Sequence, residues 1–161
     1  MRSRILLLTL IAAIAIPAHA ALNAAEAAKV RRLNDAYLDA WRNNDRKAIL
    51  ALFRADAVIS PPGFNAIEGI RAIEEFWWPA GEKNSITKGE QTVVEIGGSG
   101  NVAFARGTFA FEFTHEANGT VEKGSNAGNY LMLFARDSKG RWKITHRMWV
   151  DRPGVTPLTG S

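Results

Sequence analysis

Ala36-Tyr37-Leu38-Asp39-Ala40-Trp41, then Asp45, Leu52-Phe53, Asp56-Ala57-Val58, Pro62, Ile67-Glu68-Gly69, Ala72-Ile73 and Phe76-Trp77-Trp78 follow one another across residues 36–78. This order reads as a helix, a short helix, a strand, a Pro/Gly loop and an aromatic-rich helix. Upstream, Ala24, Ala25, Ala27, Ala28, Val30, Leu33, Tyr37, Leu38 and Trp41 include the three- and four-residue spacings of one apolar helix face, predicting a helix over 21–43. Asn43-Asn44-Asp45 interrupts it, and Asp45 suits the N-cap of a second helix over 46–53. The strand at 56–60 is stopped by Pro61-Pro62-Gly63, and the third helix ends near Trp78, ahead of Pro79 and Gly81.

Past Ser85 the apolar period changes from about 3.6 to 2. Four β segments are expected, at 87–96, 102–114, 121–134 and 142–150. They are separated by Gly97-Gly98-Ser99-Gly100, Asn118-Gly119 and Asp137-Ser138-Lys139-Gly140. Asn-Gly between alternating segments is a strong hairpin signal. Helices first and hairpin-joined strands afterwards imply an α+β domain with helices on one face of a curved antiparallel sheet.

The faces of two strands matter for function. Phe109, Phe111 and Phe113 share one side of the second long strand, and three alternating phenylalanines are too much apolar surface to leave wet. They face either the core or a partner subunit. Both faces of the third strand are apolar, as expected for a sheet covered by helices on one side and a second subunit on the other, so a homodimer is expected. In the last strand, alternation buries Trp142, Ile144, His146, Met148 and Val150, whereas a bulge partway would turn Trp149 inward.

The 161 residues begin Met1-Arg2-Ser3-Arg4, continue apolar over 5–16 and reach Pro17-Ala18-His19-Ala20. That pattern reads as a secretory signal peptide cleaved after Ala20, with a membrane anchor as the alternative, so the protein is expected in the periplasm or outside the cell with no membrane attachment after cleavage. The apolar run is shorter than the ~20 residues that span a bilayer. Residues 21–151 then form one domain and residues 152–161, with Pro153, Gly154, Pro157 and Gly160, a flexible tail. Losing Arg2 and Arg4 lowers the net charge from +4 to +2, too little for a nucleic-acid partner. Without cysteine, thiol nucleophiles, zinc thiolates and disulfides are excluded. No metal-ligand spacing appears, and Gly97-Gly98-Ser99-Gly100 lacks the Lys-Ser/Thr ending of a phosphate loop. No cofactor is expected.

The motifs of residues 36–78, with Gly140-Arg141-Trp142 and Trp149, resemble the cone-shaped nuclear transport factor 2-like (cystatin-like) folds, specifically SnoaL-like domains and ketosteroid isomerases. The resemblance covers nearly all of residues 29–151. It implies a deep apolar pocket lined at positions matching Tyr37, Trp41, Phe76, Trp77, Arg106, Tyr130, Met132 and Trp149. In ketosteroid isomerases a first-helix tyrosine donates to the developing enolate, and Tyr37 matches it. Their catalytic base falls at Pro61 and their second oxyanion donor at or near Met132. Neither residue titrates, so that mechanism is not available here.

The candidate catalytic residues are therefore Tyr37 with His146 or Asp56. Tyr37 donates to a ligand or closes a core hydrogen bond, and the His146 imidazole is a candidate general acid or base, with a core or rim histidine as its alternative. Asp56 is the nearest carboxylate to the missing base, with a structural role at the strand entry as its alternative. His115, beside Glu116 at a hairpin end, reads as exposed. Arg106 and Arg147 sit on apolar strands. Pointing inward, either needs an anion, drawn from Asp56, Asp151, Glu112 or a ligand carboxylate; pointing outward, either lays its stem on the sheet. The expected function is binding of a small apolar or aromatic molecule, with isomerase, cyclase or dehydratase-type acid–base chemistry as an extension. The alternative is a non-enzymatic dimerisation or interaction module whose cone is filled by its own tryptophans.

Overall fold

The computed structural model describes residues 21–152. The expected signal peptide and all but the first residue of the expected tail lie outside those residues. Three helices come first: α1 (Ala24–Arg42), α2 (Arg46–Ala51) and α3 (Ile70–Trp77). The strands are β1 (Phe53–Ser60), β2 (Ile67–Glu68), β3 (Glu82–Ser99), β4 (Val102–Ala117), β5 (Thr120–Arg136) and β6 (Trp142–Asp151). Asn23 Oδ1 accepts from Glu26 N to start α1, and Asp45 Oδ1 accepts from Ala48 N to start α2, both at 2.9 Å. Such caps satisfy amide donors that a helix leaves orphaned. Among the described residues no helix is long and apolar enough to cross a membrane.

All six strands form one sheet in the order β2-β1-β6-β5-β4-β3. The three hairpin-joined pairs are antiparallel, whereas β1 runs parallel to β6. The sheet is thus mixed rather than antiparallel throughout. A hairpin forces its two strands to oppose, but β1 is delivered by α2 to the flank of a strand far away in sequence, so nothing local ties their directions. Asn118 and Gly119, with φ of 52° and 76°, close the β4–β5 hairpin as the Asn-Gly signal predicts. Strand β3 is longer than its periodic stretch and carries register shifts at 86–88 and 93–95. Opposite the second shift, a side chain on Gly107 would place its Cβ 1.8 Å from Thr92 O. Only glycine permits that approach, and bulges of this kind bend a sheet into a trough.

Helix α1 lies across the trough, with Val30 and Tyr37 buried against inward-facing Ala105, Tyr130, Met132 and Phe134. Ile49 of α2, Ile59 of β1 and Ile73 of α3 close the far side. Each fully buried side chain of this size contributes about 1.5–3 kcal/mol. One clamp pins the start of α1 to the last hairpin. Glu26 accepts from Trp142 Nε1 (2.8 Å) and Lys29 Nζ (2.8 Å) and pairs with Arg136, whose guanidinium also lies over the Trp142 ring.

Candidate functional site

Between the helices and the concave sheet face lies a cavity of about 750 Å3. Its helical wall is Tyr37 and Trp41 of α1 with Phe76 and Trp77 of α3; its sheet floor is Phe109, Phe111 and Phe113. The phenylalanine stripe therefore faces the interior, with Phe109 and Phe111 buried, and is not an outer interaction surface. The tryptophans border the space without filling it. Trp41 stacks on Trp78 (centroids 5.3 Å apart, planes 19°) and meets Trp77 edge-on, also at 5.3 Å. The space remains because these rings are spent on one another.

Strand β6 supplies the far wall through a bulge. His146 pairs with Leu133 and Ile144 with Phe134, leaving Thr145 as the extra residue; its hydroxyl donates to Leu133 O at 3.2 Å. Before the bulge Trp142 and Ile144 point inward. After it the inward set is Arg147, Trp149 and Asp151, and His146, Met148 and Val150 are exposed. The bulge thus reverses the parity of everything beyond it.

Arg147 is the main electrostatic feature of the cavity. It is 5% exposed, lines the cavity, and among the described residues makes no ion pair or hydrogen bond; its Nη1 is buried without a partner. Its guanidinium is caged by the rings of Tyr37, Trp149 and Tyr130, at 4.7, 5.4 and 5.6 Å from their centroids. A desolvated cation–π contact is worth about 0.5–2 kcal/mol, whereas removing an ion from water costs several kcal/mol. Asn126 Oδ1, also on the cavity wall, is buried without a partner too. Burial raises the Tyr37 phenol above its ordinary range, with the Arg147 charge opposing. Burial likewise raises the Tyr130 phenol and the Asp151 carboxyl.

The expected site residues separate into groups. Tyr37, Trp41, Phe76, Trp77 and Trp149 line the cavity. Tyr130 and Met132 are on the inner face but under the floor: Tyr130 Oη donates to Asn34 Oδ1 (3.1 Å) and Met132 is 0% exposed. Arg106 lies on the outer face, its Nε 2.6 Å from Glu95 Oε2, because the inward position belongs to Gly107. His146 and Asp56 are exposed on the other side of the sheet from Tyr37. Asp56 is clamped by Arg54 (Nε–Oδ1 2.7 Å), which holds its carboxyl below the usual carboxylate range. The sheet therefore separates His146 and Asp56 from Tyr37, and they form no constellation with it.

Two residues at the site escaped the sequence reading. His115, expected to be exposed, stands half-buried at the cavity mouth, its Nδ1 2.8 Å from Asn84 Oδ1 and its Nε2 3.6 Å from Glu82. The extension of β3 to residue 82, beyond its periodic stretch, covers it. Asn34 is 1% exposed and accepts from both Tyr130 and Gln91 Nε2 (3.0 Å). Its signal was a polar residue at apolar spacing, four after Val30 and three before Tyr37. No group of metal-ligating side chains occurs among the described residues.

The SnoaL-like domain family profile matches residues 34–149. Solved structures of like fold include a ketosteroid isomerase-like protein from Erwinia carotovora atroseptica (22% identity, 84% of this chain and 100% of that one, TM-score 0.67). A conserved protein from Planctomyces limnophilus is 22% identical over 81% of this chain and 100% of that one, TM-score 0.62. A protein of unknown function with a cystatin-like fold from Nostoc punctiforme is 13% identical over 83% and 96%, TM-score 0.55. No match is found among curated proteins. The family profile covers most of the chain and the solved relatives share its helices-on-trough architecture: the chain belongs to the SnoaL-like domain family, within the nuclear transport factor 2-like folds.

Proposed function

We propose that this protein binds a small apolar or aromatic molecule in the cavity under α1. The observation that carries the reading is the aromatic-walled cavity itself, about 750 Å3, within the range of ligand pockets. An interaction module with a filled cone would have Trp41 and Trp77 occupying that space. Any acid–base step in the pocket falls to Tyr37 and, at the mouth, His115, since both border the space a substrate would occupy. The leader over residues 1–20 supports export, with Ala21 the first residue of the working chain. The exposed apolar side chains of Val102, Met148 and Val150 on the outer sheet face support pairing with a second copy.

Native mass spectrometry on residues 21–161 recovered from the exporting cell tests the reading. The expected spectrum is a dimer carrying a reproducible small mass that is lost on Trp41→Ala. A chain that stays empty after exposure to a lipophilic metabolite extract would overturn the binding role.

A further inference from the structure

We infer that the ligand is a monocarboxylate with an apolar body, and that Arg147 receives its carboxylate. The inference rests on the pocket reading above and adds the chemical class of the occupant. A guanidinium carries five donors in a planar fork and no acceptor. Arg147 uses none of them within the described protein, is 5% exposed and opens onto the cavity. Tyr37, Trp149 and Tyr130 fix the plane of the fork from three sides, so a carboxylate arriving from the cavity meets a group already oriented for two parallel N–H to O bonds.

The protein offers no internal substitute. The inward carboxylate nearest in sequence, Asp151, is four residues along β6, about 13 Å of strand, and burial alone raises its carboxyl, with no contribution from the Arg147 charge. Its own Oδ1 is buried and unpartnered. Charge counting sets the ligand's valence. Arg147 is the sole arginine or lysine among the described cavity-lining residues, and Glu82 and Glu122 stand among them as well. One cation suits a single negative charge and leaves a phosphate dianion half-compensated, and the glutamates disfavour a second anionic group elsewhere on the ligand. Between the cation and the glutamates, Trp41, Phe76, Trp77, Phe109, Phe111 and Phe113 supply apolar wall beside the uncharged Asn84 and Asn126, which calls for an uncharged body. Asn126 Oδ1 adds one unspent acceptor.

The test titrates the mature-length chain with 2-naphthylacetate and with its neutral twin 2-naphthylacetamide, by calorimetry at neutral pH. The acid is expected to bind at least about tenfold more tightly than the amide, as for a charge-assisted bidentate contact. Arg147→Met is expected to abolish that preference while amide binding persists. Should the Met variant fail to fold, Arg147→Lys, which keeps the charge but not the fork, is expected to shrink the preference. Equal affinity of the native chain for acid and amide overturns the carboxylate assignment and leaves the pocket reading standing. Binding of neither probe overturns the pocket reading and this inference with it.

Discussion

Asn34 shows how much one buried side chain organises. Its Oδ1 takes hydrogen bonds from Tyr130 on β5 and Gln91 on β3, tying α1 to two strands beneath the cavity floor. Tyr130→Phe removes one donor and leaves Asn34 still bonded to Gln91, at an expected cost of about 0.5–1.5 kcal/mol. Asn34→Ala strands two donors in the core, with an expected cost of about 2–4 kcal/mol. Urea denaturation of both variants checks the order, which reverses only if the Asn34 network contributes nothing. Arg147 shows what one-dimensional reading cannot see. The sequence places an arginine on an apolar strand but not which way it points, because that depends on an extra residue two positions earlier. Tyr37, Trp41 and Trp77 were legible as lining positions through the resemblance to SnoaL-like and ketosteroid isomerase folds, and helix periodicity put Tyr37 and Trp41 on one apolar face.

At the scale of elements, the helices and the Asn-Gly hairpin came through because their signals are local: Asp45 caps α2 and Asn118-Gly119 turns the chain wherever they occur. The reach of β3 to residue 82, the parallel pairing of β1 with β6 and the Thr145 bulge were not legible, since each is decided by strands distant in sequence. Glu26 joins α1 to β5 and β6, and its bonds to Lys29 and Trp142 with the Arg136 charge lower its pKa from 4.5 to about 2. A depressed carboxylate stabilises the fold above its unfolded pKa, and that contribution disappears as pH falls through the folded value. Stability should therefore fall between pH 4.5 and pH 2, and Glu26→Gln should shallow the fall. Part of it should persist, because Asp137 is held at about 2 by backbone and side-chain bonds from Arg141. Thermal melts across that range give the slope; a variant with the wild-type slope would remove Glu26 from the account.

For the whole molecule, the sheet has two unlike faces. The concave one is roofed by α1 and encloses the cavity. On the convex one Val102, Met148 and Val150 are 56%, 44% and 60% exposed, and burying such side chains is worth about 25 cal/mol per Å2. Sedimentation at micromolar concentration is expected to report a dimer, and the double variant Met148→Lys, Val150→Lys a monomer with its cavity and fold intact. A native chain that sediments as one copy would refute the pairing.

The ring geometry beside the cavity has an optical consequence. Trp41 and Trp78 are stacked nearly parallel with centroids 5.3 Å apart, and Trp77 meets Trp41 edge-on. Indoles that close share their excited states, so the chain should carry an exciton couplet in circular dichroism and emission dominated by a coupled triad rather than by isolated chromophores. Since Trp41 and Trp77 also form the cavity wall, an occupant that tilts either ring rewrites that signature. A change in that signature on adding a ligand would give a label-free spectroscopic gauge of the cavity's occupancy.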